Sequence, residues 1–451
     1  MHSRTVGLAI VLMAFPCFVQ AQIERGPLLP RKAVLGVQFA PVNAERAKVL
    51  GVKEGTFEVT RVTPGSTAEV VGLKPSDVIQ SFDGKPTATA QDVTVIMRSI
   101  VGGQKVKISV LREGKSVELS GSAVERPRQK GDGLVVEYDQ VLSLGKRIRV
   151  IGTHPQGPGP FPTIFWIGGI GAYSLDGEYP GIAYGNIMGP LSKEYAIVRI
   201  DKPGQGDSEG PVYSELLFDT EQDAYLQALR LAKTFSFVDK NKIAIIGHSM
   251  GGVFGPLVAQ SEPVAGLAVS GTISKTWNEY MLENTRRQSL LAGASPEVVD
   301  KELIETAVVC HHILFEGLSP EEVKKKHPEL KGPVDGFSPD GKTYSGVGIP
   351  FWQQLAKKNL PAAWLKTDAK VLALWGSSDF ISTRSDHEFV AEFMNQKKPG
   401  SAEFVMVPDS DHGFLNTKSM KESQQKWGRG GAAFNPNIID ILKDWLKKTL
   451  G

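Results

Sequence analysis

The stretch KIAIIGHSMGGVFGPLVA, residues 242–259, decides the fold of this chain. It begins with a short apolar run, Lys242–Ile246, which is typical of a buried strand, and it ends with an apolar run, Gly252–Ala259, that predicts a helix. Between the two runs lies the pattern G-x-S-x-G at Gly247–Gly251. Its small residues allow a sharp strand-to-helix turn that exposes the Ser249 hydroxyl beside the free N–H groups of a helix N-terminus. Ser249 is therefore the candidate nucleophile.

On both sides of this turn, residues 134–451 alternate short apolar runs with helical stretches. Apolar strands separated by helices predict a largely parallel sheet covered on both faces, which is an α/β fold. The segment Ile438–Leu450 predicts an amphipathic closing helix. The runs predicted as strands are Thr163–Ile167, Tyr195–Ile200, Lys242–Ile246, Gly266–Val269, Lys370–Trp375 and Ala402–Val407.

One stretch, from Ile273 to Thr367, contains no clear core strand. Its content is helical and charged, with a loop rich in glycine and proline near Gly332–Gly348. We interpret residues 273–367 as a helical cap inserted over the carboxyl edge of the sheet, where folds of this kind bind ligands. The predicted cap helices are Pro296–Thr306, Pro320–His327 and Trp352–Lys358. The candidate pocket aromatics are Phe351, Trp352 and Trp364, although such residues more often belong to a core.

Gly247–Gly251 resembles the nucleophile elbow of the α/β-hydrolase superfamily, and the resemblance covers roughly residues 134–451. In that family the chain order is nucleophile, acid, histidine, which implies Asp379 after the run Lys370–Trp375 and His412 after the run Ala402–Val407. His412 would take the serine proton and deliver it to the leaving group. Asp379 would fix the imidazole tautomer. Asp411, Asp409 and Asp386 are the competing acids.

An acyl-transfer site also needs two N–H donors for the oxyanion. The backbone N–H of Met250 is the first candidate, since it follows the nucleophile. Gly168-Gly169-Ile170-Gly171 resembles the family's H-G-G-x-G loop, with Ile167 where a histidine often stands. Gly169 is the preferred second donor and Ile170 the alternate. Asp201–Ser208 resembles the family's D-x-x-G-x-G-x-S loop, for which we expect a structural role.

Residues 32–119 resemble bacterial PDZ domains of exported serine proteases, and residues 120–133 are interpreted as a linker. The resemblance is carried by VTPGSTA at 62–68, GLKPSDVI at 72–79 and FDGK at 82–85. It implies that Leu35-Gly36-Val37 and the helix Ala90–Ile100 form a groove for a peptide C-terminus or a protein partner. A module that only braces the chain internally is the alternative. The predicted strands are Phe57–Val62, Val78–Phe82, Val106–Leu111 and Ser116–Leu119, with hairpin turns at Asp83-Gly84 and Glu113-Gly114.

Residues 1–21 are interpreted as a signal peptide, because Val6–Val19 is apolar and Val19-Gln20-Ala21 suits a signal peptidase. An N-terminal membrane anchor is the alternative. We therefore expect a periplasmic or secreted protein with no stable membrane span after cleavage. Cys310 would then be the remaining cysteine, and no metal or cofactor is expected, since His311 and His312 are adjacent rather than spaced along one helix face.

The composition is that of a soluble globular chain of several domains, with 451 residues, 41% of them hydrophobic and 22% charged. A net charge of +2 gives no electrostatic case for nucleic acid. The first functional hypothesis is a carboxylic-ester hydrolase that forms an acyl-enzyme on Ser249. A peptidase or aminopeptidase with the same triad is the second, with the PDZ-like module presenting peptide ends. A binding protein on an inactive hydrolase scaffold is the third.

Overall fold

The computed structural model describes residues 23–177 and 183–451. The predicted signal peptide, 1–21, lies outside the described residues. No helix among the described residues is long and apolar enough to cross a membrane. The N-terminal strands are β1 (Val37–Pro41), β2 (Phe57–Val62), β3 (Val78–Phe82), β4 (Lys85–Pro86), β5 (Lys105–Arg112) and β6 (Lys115–Ser122), and the helices are α1 (Ala44–Leu50), α2 (Thr67–Val71) and α3 (Ala90–Met97).

These elements form a small domain with its own core. β1 pairs antiparallel with β2, and a four-stranded antiparallel sheet has the order β4-β3-β5-β6. Asp83-Gly84 and Glu113-Gly114 form the predicted hairpin turns, with positive φ at all four residues. Val59, Phe82 and Ile108 are buried in one apolar cluster that includes Val93 of α3.

The connection to the second domain is shorter than the predicted linker 120–133. β6 continues to Ser122, and Glu125 still forms a bridge with Ala33. Gly121, one of the glycines in the predicted linker, has a packing reason: a Cβ on it would lie 3.1 Å from a methyl carbon of Val71 in α2. Here glycine permits a helix to approach a strand closely.

The second domain is built on a mostly parallel sheet between helices, as predicted. The strands are β7 (Leu134–Ser143), β8 (Lys146–Pro155), β9 (Phe161–Ile167), β10 (Ala196–Ile200), β11 (Val238–His248), β12 (Gly266–Ser270), β13 (Thr343–Tyr344), β14 (Val347–Gly348), β15 (Lys370–Gly376) and β16 (Ala402–Val407). The helices are α4 (Ala183–Leu191), α5 (Phe218–Ala232), α6 (Met250–Ala259), α7 (Trp277–Ala292), α8 (Pro296–Cys310), α9 (Pro320–Lys326), α10 (Lys331–Phe337), α11 (Ile349–Ala356), α12 (Leu360–Leu365), α13 (Arg384–Lys397), α14 (Met420–Lys426) and α15 (Asn437–Leu450).

The order of the main sheet is β16-β15-β12-β11-β9-β10-β8-β7. It is parallel from β16 to β10, whereas β8 and β7 are antiparallel additions at one edge that the sequence analysis did not predict. Successive residues of β9 enter different cores: Phe165 and Ile167 pack on the α5 and α6 side, and Ile164 and Trp166 on the α4 and α15 side. Because the strands from β16 to β10 run parallel, the carboxyl ends of β11, β15 and β16 lie along one edge of the sheet.

The cap helices α7 to α12 all lie between β12 and β15. The loop predicted near Gly332–Gly348 contains α10 and the β13–β14 hairpin instead. Glycine and proline misled the sequence interpretation, because Pro333 stands in the first turn of α10, where its missing N–H costs nothing.

Candidate active site

The candidate nucleophile Ser249 lies at the turn between β11 and α6. Its φ of 55° and ψ of −122° place a non-glycine residue in a rarely populated conformation. Steric contacts explain why glycine stands two residues before and two residues after Ser249. A Cβ on Gly247 would lie 2.4 Å from the Gly251 oxygen, and one on Gly251 would lie 1.9 Å from the Ile167 oxygen. The Ser249 N–H donates to the Ser270 oxygen at 2.8 Å, which anchors the turn to β12.

Asp379 and His412 come together at the neighbouring strand ends. His412 Nδ1 donates to Asp379 Oδ2 at 2.9 Å, and both side chains are buried. Asp379 also accepts the N–H groups of Ile381 and Ser382 at 2.8 and 3.0 Å, and the Ser382 hydroxyl at 2.5 Å. Hydrogen bonds to both carboxylate oxygens thus fix Asp379 next to His412.

Burial and charge act against each other in this pair. Burial alone would raise the pKa of Asp379, but the His412 charge and the hydrogen bonds from His412 and Ser382 lower that pKa to about 2. Burial would likewise lower the pKa of His412, yet the charge and hydrogen bond of Asp379 raise it above its ordinary 6.5. The pair therefore favours an ionised acid beside a basic imidazole.

In the described part of the chain, none of the three competing acids is hydrogen-bonded to His412, and two of them hold other partners. Asp411 accepts the N–H groups of Gly413 and Leu415, both at 2.8 Å. Asp386 accepts the Ser274 N–H at 2.8 Å, and Asp409 is exposed on a turn with φ 51°. Of the four candidate acids, Asp379 alone is hydrogen-bonded to the His412 ring among the described residues.

Two residues that support His412 were missed from the sequence. Gly271, directly after β12, has φ 60°, and a Cβ there would lie 2.7 Å from His412 Cε1. Ser382 holds Asp379. A small residue directly after a core strand was the available signal for Gly271, whereas Ser382 carried none, because its role depends on the turn that follows β15.

Ser249 and His412 line one cavity of about 740 Å³, together with Met250, Gly169 and Ile170. Gly169 packs directly on the nucleophile: a Cβ there would lie 3.0 Å from Ser249 Cβ and 3.4 Å from its Oγ. Met250 is the first residue of α6, so its N–H has no partner within the helix. The residues of the predicted oxyanion hole therefore surround the candidate nucleophile.

The described part of the cavity wall is largely aromatic. Among the described residues that line it, none is Asp, Glu, Lys or Arg. Trp352 belongs to this wall, whereas Phe351 and Trp364 are buried in the core and do not line the cavity. The aromatic lining residues are Trp166, Tyr173, Tyr184, Trp277, Tyr280, Tyr344, Trp352, Phe380 and Trp427.

The predicted peptide-binding segment Leu35-Gly36-Val37 lies where β1 begins. Gly36 has φ 75°, and a Cβ on it would lie 2.2 Å from Ser66 Cβ. β1 pairs with β2 and with no other strand among the described residues, so it keeps one free edge. Such an edge suits the addition of a peptide strand.

His311, His312 and Glu316 lie on the surface, where α8 ends in a π-helical turn at His311–Phe315. His312 Nδ1 contacts Glu316 Oε2 at 2.7 Å, and the ligand atoms of all three residues lie within 4.8 Å of one another. Cys310 beside them is buried, which raises the pKa of its thiol to about 12. A thiol of that kind is unreactive.

Comparison with known proteins identifies both domains. The family model described as "Alpha/beta hydrolase family" matches residues 171–422, which is more than half of the chain, and the model described as "PDZ domain" matches residues 33–121. The chain therefore belongs to the alpha/beta hydrolase family and carries an N-terminal PDZ domain. Its class is that of a hydrolase.

The curated relatives match a smaller part. The periplasmic pH-dependent serine endoprotease DegQ of Escherichia coli is 28% identical over 156 residues, 32% of this chain and 34% of that protein. The periplasmic serine endoprotease DegP of Salmonella typhimurium is 30% identical over 117 residues, 26% of this chain and 24% of that one. The chain thus spans about a third or less of these relatives.

Solved structures that are similar to this chain include a thermophilic esterase and the protein Est1E. A thermophilic esterase from Thermogutta terrifontis, with malate bound, is 16% identical and covers 70% of this chain and all of its own, at a TM-score of 0.39. Est1E from Butyrivibrio proteoclasticus, with ferulic acid bound, is 14% identical and covers 69% of this chain and 98% of its own, at a TM-score of 0.45.

Proposed function

We propose that this protein is an exported serine hydrolase that cleaves uncharged carboxylic esters through an acyl-enzyme on Ser249. The observation that carries the proposal is the buried His412–Asp379 hydrogen bond of 2.9 Å, since His412 and Ser249 line one cavity whose described wall holds no Asp, Glu, Lys or Arg. A serine hydroxyl is nearly inert at neutral pH, so a positioned base is the feature that the chemistry requires.

The reaction uses each group in turn. His412 Nε2 takes the Ser249 proton as Oγ attacks the ester carbonyl carbon, and the imidazolium that forms is stabilised by Asp379. The Met250 N–H and a second N–H from residues 169–170 hold the oxyanion. The tetrahedral intermediate then expels the alcohol, which takes the proton from His412. Water repeats these steps on the acyl-enzyme and releases the acid.

The lack of Asp, Glu, Lys and Arg in the described cavity lining bears on the choice between an ester and a peptide with a free amino end. An aminopeptidase must neutralise the substrate's ammonium group, because burying an unpaired charge is costly. The described lining offers no carboxylate for that purpose. Aromatic walls instead suit apolar or aromatic acyl groups. Neutral esters are therefore the preferred substrates.

Export and peptide binding complete the proposal. We assign residues 1–21 to a signal peptide, 32–119 to the PDZ domain and 134–451 to the hydrolase with its cap at 273–367, in a periplasmic or secreted protein. The free edge of β1 beside Leu35–Val37 would take a peptide C-terminus or a protein partner. Cell fractionation and N-terminal sequencing of the mature protein test the export assignment, since an uncleaved, membrane-bound chain would overturn it.

The experiment that tests the enzymatic function compares p-nitrophenyl esters of graded acyl size with aminoacyl p-nitroanilides, using the protein from Gln22. We expect ester hydrolysis that is abolished by Ser249→Ala, and fluorophosphonate labelling of Ser249 alone. Anilide hydrolysis without ester hydrolysis would replace the proposal with a peptidase. Failure of the fluorophosphonate to label Ser249 would favour a binding protein.

A further inference from the structure

A buried lysine lies directly behind the loop that packs on Ser249. Lys202 comes from the loop after β10, and its side chain is only 2% exposed. Its Nζ forms an ion pair with Glu221 Oε1 of α5 at 2.9 Å and donates to the Gly169 oxygen at 2.5 Å. From the sequence, this loop was expected to have only a structural role.

The pair is charged and costly to bury. Burial would lower the pKa of Lys202, but the charge of Glu221 and the surrounding tyrosines raise it well above its ordinary value. Removing two charges from water costs several kcal/mol for each ion, so an apolar pair would serve stability as well or better. Stability alone therefore does not explain this buried pair, and the groups that the Lys202 ammonium contacts indicate its role.

The Lys202 ammonium contacts the peptide unit that joins Gly169 to Ile170. The Gly169 oxygen accepts from Lys202 Nζ and from Tyr173 Oη, the latter at 2.8 Å. Two residues further along the loop, the N–H of Gly171 donates to Tyr213 Oη at 2.5 Å. Lys202 Nζ lies 4.9 and 5.8 Å from the centres of these two tyrosine rings. A single buried cluster thus fixes the loop from Gly169 to Gly171.

The orientation of that peptide determines where its N–H points. In a trans peptide the C=O and the N–H point in opposite directions, and the Gly169–Ile170 bond is not among the cis bonds. The carbonyl faces Lys202, so the Ile170 N–H faces away from it. No described residue accepts a hydrogen bond from this N–H. Ile170 and Gly169 line the cavity with Ser249.

We propose that Lys202, held by Glu221, is a positioning residue that orients the Gly169–Ile170 peptide so that the Ile170 N–H is the second oxyanion donor. This inference rests on the proposed ester hydrolysis, and it assigns the donor to Ile170 rather than to Gly169. The ammonium group also polarises the peptide, because hydrogen bonds in series strengthen one another. Lys202 touches neither the substrate nor Ser249 in this scheme and acts through one backbone bond.

The test is the double variant Lys202→Met with Glu221→Gln, which removes both charges and leaves no unpaired ion. Loss of one oxyanion donor lowers turnover by about 10²-fold to 10³-fold, so we expect kcat to fall roughly 100-fold with KM nearly unchanged. Inhibition by phenylboronic acid, which forms an anionic tetrahedral adduct with a serine, should weaken by a similar factor. The matched control is Lys233→Met with Glu262→Gln, a partly exposed pair whose N–O distance is 2.5 Å, against 2.9 Å for Lys202 and Glu221, and it should behave as wild type.

A second variant keeps the inference testable if the first does not fold. Ile170→Pro removes the N–H, with Ile170→Ala as its control, and should lower kcat by a similar factor. The two changes should not multiply when combined, because both act on the same donor. Wild-type kcat in a folded double variant, wild-type kcat in Ile170→Pro, or fully multiplicative losses would each overturn the assignment.

The same assays separate this inference from the proposed function. If wild type hydrolyses esters and Ser249→Ala does not, the function stands whatever the Lys202 variant shows. If wild type hydrolyses no ester, both fall together.

Discussion

One buried charge pair reaches the cavity and another lies behind its oxyanion loop, and they differ in what each leaves available for chemistry. In the pair at the cavity, Asp379 accepts hydrogen bonds on both carboxylate oxygens, while Nε2 of His412 is left for the proposed nucleophile, Ser249. In the pair behind the oxyanion loop, Lys202 and Glu221 face each other and a backbone carbonyl, so neither reaches the substrate. In the proposed mechanism the first pair moves a proton, whereas the second only holds a peptide unit in place.

The comparison shows that burial of charge does not by itself define a catalytic residue. Asp379–His412 and Lys202–Glu221 are both almost fully buried. Their surroundings separate them: one pair lies beside a strained serine at φ 55°, and the other lies beneath a glycine loop. Variants of each pair should therefore fail in different ways.

The largest effect is expected at the first pair. Asp379→Asn removes the charge that stabilises the imidazolium and favours the wrong tautomer, so kcat should fall about 10⁴-fold with little change in KM. Steady-state hydrolysis of p-nitrophenyl esters measures it. Asp409→Asn is the matched control, because Asp409 is exposed at φ 51°, a conformation that asparagine tolerates well. More than a tenth of wild-type turnover in Asp379→Asn would show that another acid orients His412.

How far the sequence predicts these pairs depends on how local the signal is. The turn at Ser249 was predictable because its signal is local. Gly247 and Gly251 must be glycine to avoid steric clashes within the G-x-S-x-G motif and with the adjacent strand. Asp379 and His412 followed from their places after buried strands and from the family's chain order. Lys202 and Glu221 gave no such signal, since charged residues in a sequence usually indicate solvated surface, and only the packed fold shows them buried.

The fold shows the same division. The central parallel strands were predictable because they are continuous apolar runs, such as β12 and β15. The antiparallel strands β7 and β8 were missed, and β7, the edge strand, begins with alternating partly buried and exposed residues and therefore lacks an apolar run. The cavity wall was equally hard to predict: Trp277 and Trp427 line it, whereas Trp364 is in the core, and the difference depends on how the cap packs.

The second prediction uses pH to separate the pairs. His412 must be neutral to accept the serine proton, and its pKa is raised above 6.5 by Asp379, so kcat/KM should fall about tenfold per pH unit below that pKa. Lys202 does not titrate in this range because its pKa is raised, not lowered. The acid limb measured from pH 5 to 9 should therefore keep its midpoint in the Lys202→Met, Glu221→Gln variant. A midpoint below 6.5 in wild type, or one that moves in the variant, would contradict this division of roles.

The smallest effect on turnover is expected at a third group of buried charges, Arg31 with Asp207 and Asp176, none of which lines the cavity. Arg31 Nη1 contacts Asp207 Oδ2 at 2.8 Å and also pairs with Asp176, which ties the N-terminal segment to the loop after β10. Arg31→Met leaves buried carboxylates short of a partner, so urea unfolding should show a loss of about 3 kcal/mol while kcat stays within about twofold. Arg25→Met, at an exposed pair with Asp139, should change neither quantity. A parallel fall in kcat for Arg31→Met would mean that the same loop transmits strain from the domain junction to Lys202, and the buried pairs would then act on catalysis together.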